Sequence, residues 1–342
     1  MKNLFVHLRV HSNFSLSEGM LSFDYLSEFC VKNNQPAIAI TDTSNMFGVL
    51  EFSIKMVSNG IQPIIGIQVN ISGSTNFENS IGEVVLIAKN ETGYKNLLVL
   101  TSEMATNSKF EKFITFENLK IYKDGIILLT GGIENGFIGK PASLGNIKLV
   151  NERLKVLKVL FDKNLYIELQ RHGIRSQFNA EKILLDSSVK FNLPLVATND
   201  CFFENVNKFN AHQVLTCIDK GLTISSNNRR LLTKEHYIKD TKKMISLFED
   251  IPEAIENTIV IAKRCSFFVK THKPMLPKFP GLKNISENEH LSDISKKGLM
   301  KRFQFSMKKF TEHEKDSYQN RLIKELNIIN EMGFSGYFLI VY

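Results

Sequence analysis

Short apolar runs alternate along this chain with longer stretches in which apolar residues recur three to four positions apart. The runs at 4–10, 36–40, 61–69, 83–88, 125–129, 165–169 and 195–198 predict strands. The helical spacing predicts helices over 22–33, 46–58, 93–101, 148–161, 180–191 and 206–218. Most of the strands lack polar alternation, which predicts a sheet covered on both faces and therefore parallel. Strand and helix in strict turn narrow the fold to a β/α barrel or a doubly wound sheet.

After about Gly221 the pattern changes. Helical spacing returns at 234–248 and at 252–264, the second with Pro252 in its first turn. A proline-rich connector, 271–281, then marks the domain boundary, so the expected units are 1–270 and 271–342. Two charged amphipathic helices, 292–303 and 312–332, follow it. The chain closes on Gly336-Tyr337-Phe338-Leu339-Ile340-Val341-Tyr342, whose β propensity predicts a strand.

Composition adds little to this picture. Of 342 residues 43% are hydrophobic and 23% charged, which describes a globular protein and excludes a disordered one. No apolar run approaches the roughly 20 residues of a membrane span, and the first residues carry no secretory signature, so the cytoplasm is the expected compartment. Cys30, Cys201, Cys217 and Cys265 form no CxxC pair and are expected to be reduced packing residues. The formal charge of +8 permits a nucleic-acid partner, but Lys, Asn and Ile are abundant throughout, so it does not establish one.

Chemistry gathers at strand ends. His11, Asp42, Gln68, His172 and Asp200 each fall at or just past the C-terminal end of a predicted strand, and no GxGxxG or Walker loop follows the first one. A site built from many strand ends favours the barrel over the open sheet. His7, Arg9 and His11 are spaced by two, which in a strand puts them on one face. Spacing alone leaves open whether that face lines a cleft or meets solvent. His212 suits capping or packing, and His236, His272, His290 and His313 sit among polar residues and are expected to be solvated.

The wording of these segments resembles the PHP domain that opens bacterial replicative DNA polymerase III alpha subunits. Arg9-Val10-His11-Ser12 with Ser15-Leu16-Ser17-Glu18-Gly19 is similar to the family's opening motif, with arginine in place of the first histidine. Glu168-Leu169-Gln170-Arg171-His172-Gly173 and Thr198-Asn199-Asp200-Cys201-Phe202 match later motifs, and Phe202 stands where a last histidine ligand is expected. Gly60 to Gly66, Ala88 to Leu97 and Leu193 to Asp200 look like alpha-subunit sequence in particular. Met332-Gly333-Phe334 and Gly336 to Val341 are similar to the entry into the polymerase palm.

The resemblance implies a distorted (β/α)7 barrel, a mainly helical connector and the start of an α+β palm. It implies that His11, Glu18, Asp42, His172 and Asp200 are the surviving metal-ligand positions, while Arg9, Thr43, Gln68, Glu83 and Phe202 have departed. The barrel is then expected to be a scaffold that docks a separate proofreading exonuclease, holding at most a single weak Zn2+ or Mn2+. For the intact family protein it implies Mg2+-dependent DNA-directed DNA synthesis on primed DNA, with other replisome subunits as partners and the nucleoid as location. The family's polymerase carboxylates come later than Tyr342. Two competing functions are an active PHP-type phosphoesterase (exonuclease or pyrophosphatase) and a free-standing sugar-phosphate phosphatase. The first needs the missing histidines, and the second leaves the palm-like tail unexplained.

Overall fold

A computed structural model describes residues 4–72, 81–107, 113–226, 232–273, 277–282 and 285–342. The chain divides into two compact units, Met1–Thr271 and His272–Tyr342. Pro274, Met275 and Leu276 of the expected connector lie outside the described residues.

The first unit is built on β1 (Ala37–Ile40), β2 (Gln62–Ser72), β3 (Ile81–Ala88), β4 (Ile126–Leu129), β5 (Leu165–Gln170) and β6 (Leu195–Thr198). They neighbour one another in sequence order. Helix α1 (Phe23–Lys32) precedes β1, and α2 (Val49–Ser58), α3 (Glu91–Asn107), α4 (Phe116–Ile121), α5 (Gly139–Ser143), α6 (Ile147–Phe161) and α7 (Arg175–Phe191) lie between strands. After β6 come α8 (Phe209–Asp219), α9 (Thr241–Leu247) and α10 (Pro252–Arg264).

The all-parallel expectation is corrected at β3, which runs antiparallel to both β2 and β4, while β1–β2, β4–β5 and β5–β6 are parallel. A covered sheet needs apolar residues on both faces whatever its strand direction, so apolar content could not reveal the reversal. The reversal has a consequence for chemistry. It brings the start of β3, where Glu83 sits opposite Asn70, to the same barrel mouth as the ends of the parallel strands.

The segment 5–11 closes the sheet. His7 and Val10 carbonyls accept from Ala39 and Thr41 at 2.8 and 2.9 Å on the β1 side. Beyond β6, the Arg9 carbonyl accepts from the Cys201 N–H at 3.2 Å, and the His11 N–H donates to the Cys201 carbonyl at 2.9 Å. Alternation along the strands then separates two cores. Val6, Leu8, Ala37, Ala39, Ile64, Val85, Ile87, Ile127, Leu129, Tyr166 and Val196 fill the barrel, which α10 plugs with Ile261 and Ala262. The intervening residues, such as Ile38, Ile65, Leu86, Leu128, Ile167 and Ala197, pack in the larger core with the surrounding helices.

The expected common face of His7, Arg9 and His11 does not form. Val6 and Leu8 belong to the interior, and His7 instead meets Phe5 and Phe29 with ring centroids 4.8 and 6.2 Å away. Arg9 nevertheless reaches interior carboxylates from β3 and β5. Leu8 and Arg9 thus address the interior consecutively, so the strand alternation breaks between them. Despite its backbone hydrogen bonds on both sides, the segment is not a regular strand and forms an isolated bridge, Val10 with Cys201.

Two further elements differ from expectation. The helix expected over 234–248 is confined to α9, because residues 236–238 lend their backbone to the chain beyond β6. The His236 carbonyl accepts from Phe202 at 2.9 Å and Ile238 donates to Phe203 at 3.0 Å. The Asp240 carboxylate then caps α9 by accepting from the Lys243 N–H at 2.8 Å.

The second unit holds α11 (Glu287–Phe305), α12 (Glu312–Glu331) and α13 (Ser335–Val341). Reciprocal capping by Ser286 with Glu289 and by Thr311 with Glu314 starts the first two. The expected terminal strand is α13 instead. Gly333, at φ +71°, ends α12 and turns the chain, and Leu339 then buries itself with Leu291 and Leu326. No strand is present in this unit's described residues to pair with it, so the backbone satisfies itself as a helix and overrides β propensity.

Candidate functional site

The barrel mouth is occupied by one cation and three carboxylates. Arg9 is 1% exposed. Its Nη1 lies 3.1 Å from Glu168 Oε1, its Nε 2.8 Å from Asp200 Oδ1, and its Nη2 pairs with Glu83 and donates to Gln68 Oε1 at 2.7 Å. Burial opposes the charge, but Asp200, Glu168 and Glu83 outweigh it and hold the Arg9 pKa well above its ordinary value. Glu168 is saturated too. It accepts from Thr198 Oγ1, from Gln170 Nε2 at 2.9 Å and from the Gly131 N–H at 3.0 Å. A cavity of about 10 Å3 remains, lined in part by Arg9, Glu83, His172 and Asp200. That is room for about one water molecule.

Each position implied by the family resemblance has a definite place. His11 donates through Nε2 to Asp200 Oδ1 at 2.9 Å, and its ring stacks on Phe202 with centroids 4.2 Å apart and planes 3° from parallel. Asp42 accepts from the Ser12 N–H at 2.7 Å, Ser12 Oγ at 2.8 Å and Ser15 Oγ at 2.6 Å. Burial raises its pKa against those hydrogen bonds. Glu18 accepts from Thr43 Oγ1 at 2.7 Å, and its carbonyl meets His212 Nε2 at 2.6 Å. His172 donates through Nε2 to the Asn199 carbonyl at 2.7 Å and accepts at Nδ1 from Gln177 at 3.1 Å, so both ring nitrogens are taken. Burial lowers its pKa to about 4. The fold therefore joins His11 to Asp200, Glu18 to Thr43, and Arg9 to Gln68, Glu83 and Asp200. Among the described residues, no three His, Cys, Asp or Glu side chains are grouped as a metal ion would need.

His236 is not solvated. It is buried, and its ring stacks on His172 with centroids 3.8 Å apart. A second buried layer lies behind the mouth. His7 Nε2 donates to the Lys239 carbonyl at 2.7 Å, and Lys239 Nζ donates to Asn199 Oδ1 at 2.9 Å and pairs with Glu235. Burial lowers the pKa of His7 to about 4 and lowers that of Lys239.

Against known families, residues 7–172 match the PHP domain, and residues 289–342 match the bacterial DNA polymerase III alpha NTPase domain. A DNA polymerase III subunit alpha of Rickettsia bellii is 38% identical across 100% of this chain and 29% of its own length. That of Caulobacter vibrioides is 37% identical across 98% of this chain and 30% of its own. Over its whole length the chain is homologous to DNA polymerase III alpha subunits. It spans about three tenths of the length of these two relatives. A solved amidohydrolase from Chromobacterium violaceum is similar at TM-score 0.43 and 12% identity, covering 58% of this chain and 87% of that one.

Sequence reasoning did not single out Glu168 or Lys239. The signal for Glu168 was present, because a glutamate inside Leu165-Tyr166-Ile167-Glu168-Leu169 is a charge in a buried strand and demands a partner. Lys239 carried no such signal. It falls within the helix expected over 234–248, and only the fold buries it.

Proposed function

We propose that this chain acts as the N-terminal region of a replicative DNA polymerase III alpha subunit, and that its barrel is a structural platform rather than a hydrolase. The single observation that carries the platform reading is the Arg9 guanidinium held between Glu83, Glu168 and Asp200. A divalent cluster needs those carboxylates free, together with imidazole nitrogens pointing at the metal. A fixed cation takes the first, and the Asn199 carbonyl and Gln177 take both nitrogens of His172. Phe202 covers the His11 ring where a further ligand would stand. The residues present do not fit a PHP metal cluster, and no hydrolytic step is assigned to them.

In the intact subunit, DNA-directed synthesis on primed DNA belongs to the polymerase chemistry with its Mg2+, carried by residues outside this barrel. The platform's partner is the proofreading exonuclease, which would supply the hydrolysis this barrel lacks, within a cytoplasmic replisome. The test is elemental analysis of protein purified without chelators, together with a Mn2+-supplemented phosphodiester assay. Substoichiometric metal and no turnover are expected. Two or more Zn, Mn or Fe ions per chain, or turnover, would overturn the platform reading.

A further inference from the structure

The second unit carries a surface that the barrel's role does not explain. Between Asp293 and Glu312 the sequence holds six basic residues, Lys296, Lys297, Lys301, Arg302, Lys308 and Lys309, and no acidic one. Lys297 pairs with Asp293 and Lys308 with Glu314. Lys301, Arg302 and Lys309 are exposed and make no ion pair among the described residues. Lys301 and Arg302 lie in the last turns of α11 and Lys309 in the link to α12, where Phe305 is 84% exposed and Met307 fully so.

This tip is held rather than loose. Phe303, Phe310 and Tyr318 form a mutual edge-to-face cluster with centroids 5.1, 5.8 and 6.0 Å apart, tying the end of α11 to the start of α12. Those three aromatics account for the packing of the turn, and Phe305 contributes nothing to it that the structure records. A large apolar ring kept outside a fixed turn, with unpaired cations three and four residues before it and four after, fits a polyanion that also offers flat apolar faces. Single-stranded nucleic acid has that chemistry, with phosphates for the cations and bases for the ring. A duplex offers the phosphates but keeps its base faces stacked.

We propose that the α11–α12 tip binds single-stranded DNA, with Phe305 stacking on a base and Lys301, Arg302 and Lys309 contacting phosphates. This deepens the polymerase reading and rests on it only for the identity of the strand. Metal content and phosphodiester turnover report on the barrel, so failure at the tip leaves that reading where it stands.

The experiment is fluorescence anisotropy of a labelled oligo(dT) with the full 342-residue chain across a salt series. Phe305→Ala is expected to weaken binding by about 5-fold or more, the lower end of base stacking on an aromatic, without changing the salt slope. Lys301→Glu with Arg302→Glu should weaken binding and reduce the slope of log K on log salt by about 1.4, at roughly 0.7 per phosphate contact. Lys182→Glu, an exposed cation on α7, should change neither. All four substitutions are at exposed positions, and circular dichroism confirms that each variant is folded. Equal loss from Lys182→Glu, no effect of Phe305→Ala, equal affinity for duplex DNA, or tighter tip-dependent binding to phosphatidylserine vesicles would each overturn the proposal.

Discussion

Arg9 and Glu168 form an ion pair inside the barrel mouth, 3.1 Å from Nη1 to Oε1, with side chains 1% and 0% exposed. Neither charge has water to fall back on. Replacing one member of such a pair leaves the other buried and uncompensated, which costs about 3–5 kcal/mol. Arg9 serves Glu83 and Asp200 as well, so its loss strands several carboxylates at once.

Arg9→Ala is therefore expected to lower the stability of the first unit by at least about 3 kcal/mol in urea denaturation followed by circular dichroism. A loss below about 1 kcal/mol, the ordinary scale of an exposed pair, would mean the cluster is not what holds the mouth together.

Arg9→His is expected to give no phosphodiesterase. The new imidazole would face His172, whose nitrogens remain committed, and His11, which remains stacked on Phe202. Sustained Mn2+-dependent hydrolysis of bis(p-nitrophenyl) phosphate by this variant would show that a single residue separates platform from enzyme.

Stability should fall on mild acidification. His7 and His172 have folded pKa values of about 4, below the ordinary 6.5, because burial disfavours their charged forms. Between those values the unfolded chain binds more protons, so stability is full above about 6.5 and is lost as pH drops toward 4. From pH 7 to pH 5 the loss is about 2 kcal/mol per histidine. The raised pKa of Asp42 acts in the opposite direction, favouring the fold at lower pH. Urea midpoints at the two pH values check this, and His172→Gln should flatten the slope. An equally steep profile in that variant would assign the effect elsewhere.

The helical form of the chain's end gives a contrast between neighbours. Leu339 is buried against Leu291 and Leu326, whereas Ile340 is exposed. Leu339→Ala is expected to cost the second unit about 2–5 kcal/mol and Ile340→Ala less than about 0.5. Thermal melts of the two variants decide it, and the reverse order would mean the segment presents another face to its core.

Gly93 tests the junction of α3 with β4. A Cβ there would come within 2.0 Å of the Gly125 carbonyl oxygen, and Gly125 itself holds φ +75°. Backbone cannot yield as a side chain can, so Gly93→Ala is expected to destabilise by about 2 kcal/mol or more. A melting temperature equal to the parent's would show that the turn relaxes freely.

By itself the sequence determined the six strands between Ala37 and Thr198 and the barrel class, because burial on two faces and polar strand ends are local signals. Leu195–Thr198 and Pro252–Arg264 were legible to the residue, since an apolar run or an N-terminal proline bounds each. Four decisions needed the tertiary structure. The direction of β3 depends on which neighbours it pairs with, and apolar content is the same either way. The break of alternation between Leu8 and Arg9 arises because the segment must pair with β1 on one side and the chain beyond β6 on the other. Residues 236–238 forgo helix for the same reason, their backbone groups being claimed by Phe202 and Phe203. The chain's end reads as strand by propensity, yet a strand needs a partner and a helix does not, and Leu291 with Leu326 offered it a core instead. The chemistry of the mouth divides in the same way. Arginine in place of histidine was visible at position 9, but only the fold could bring Glu83, Glu168 and Asp200 from three separate segments around it and spend their charge on that one cation.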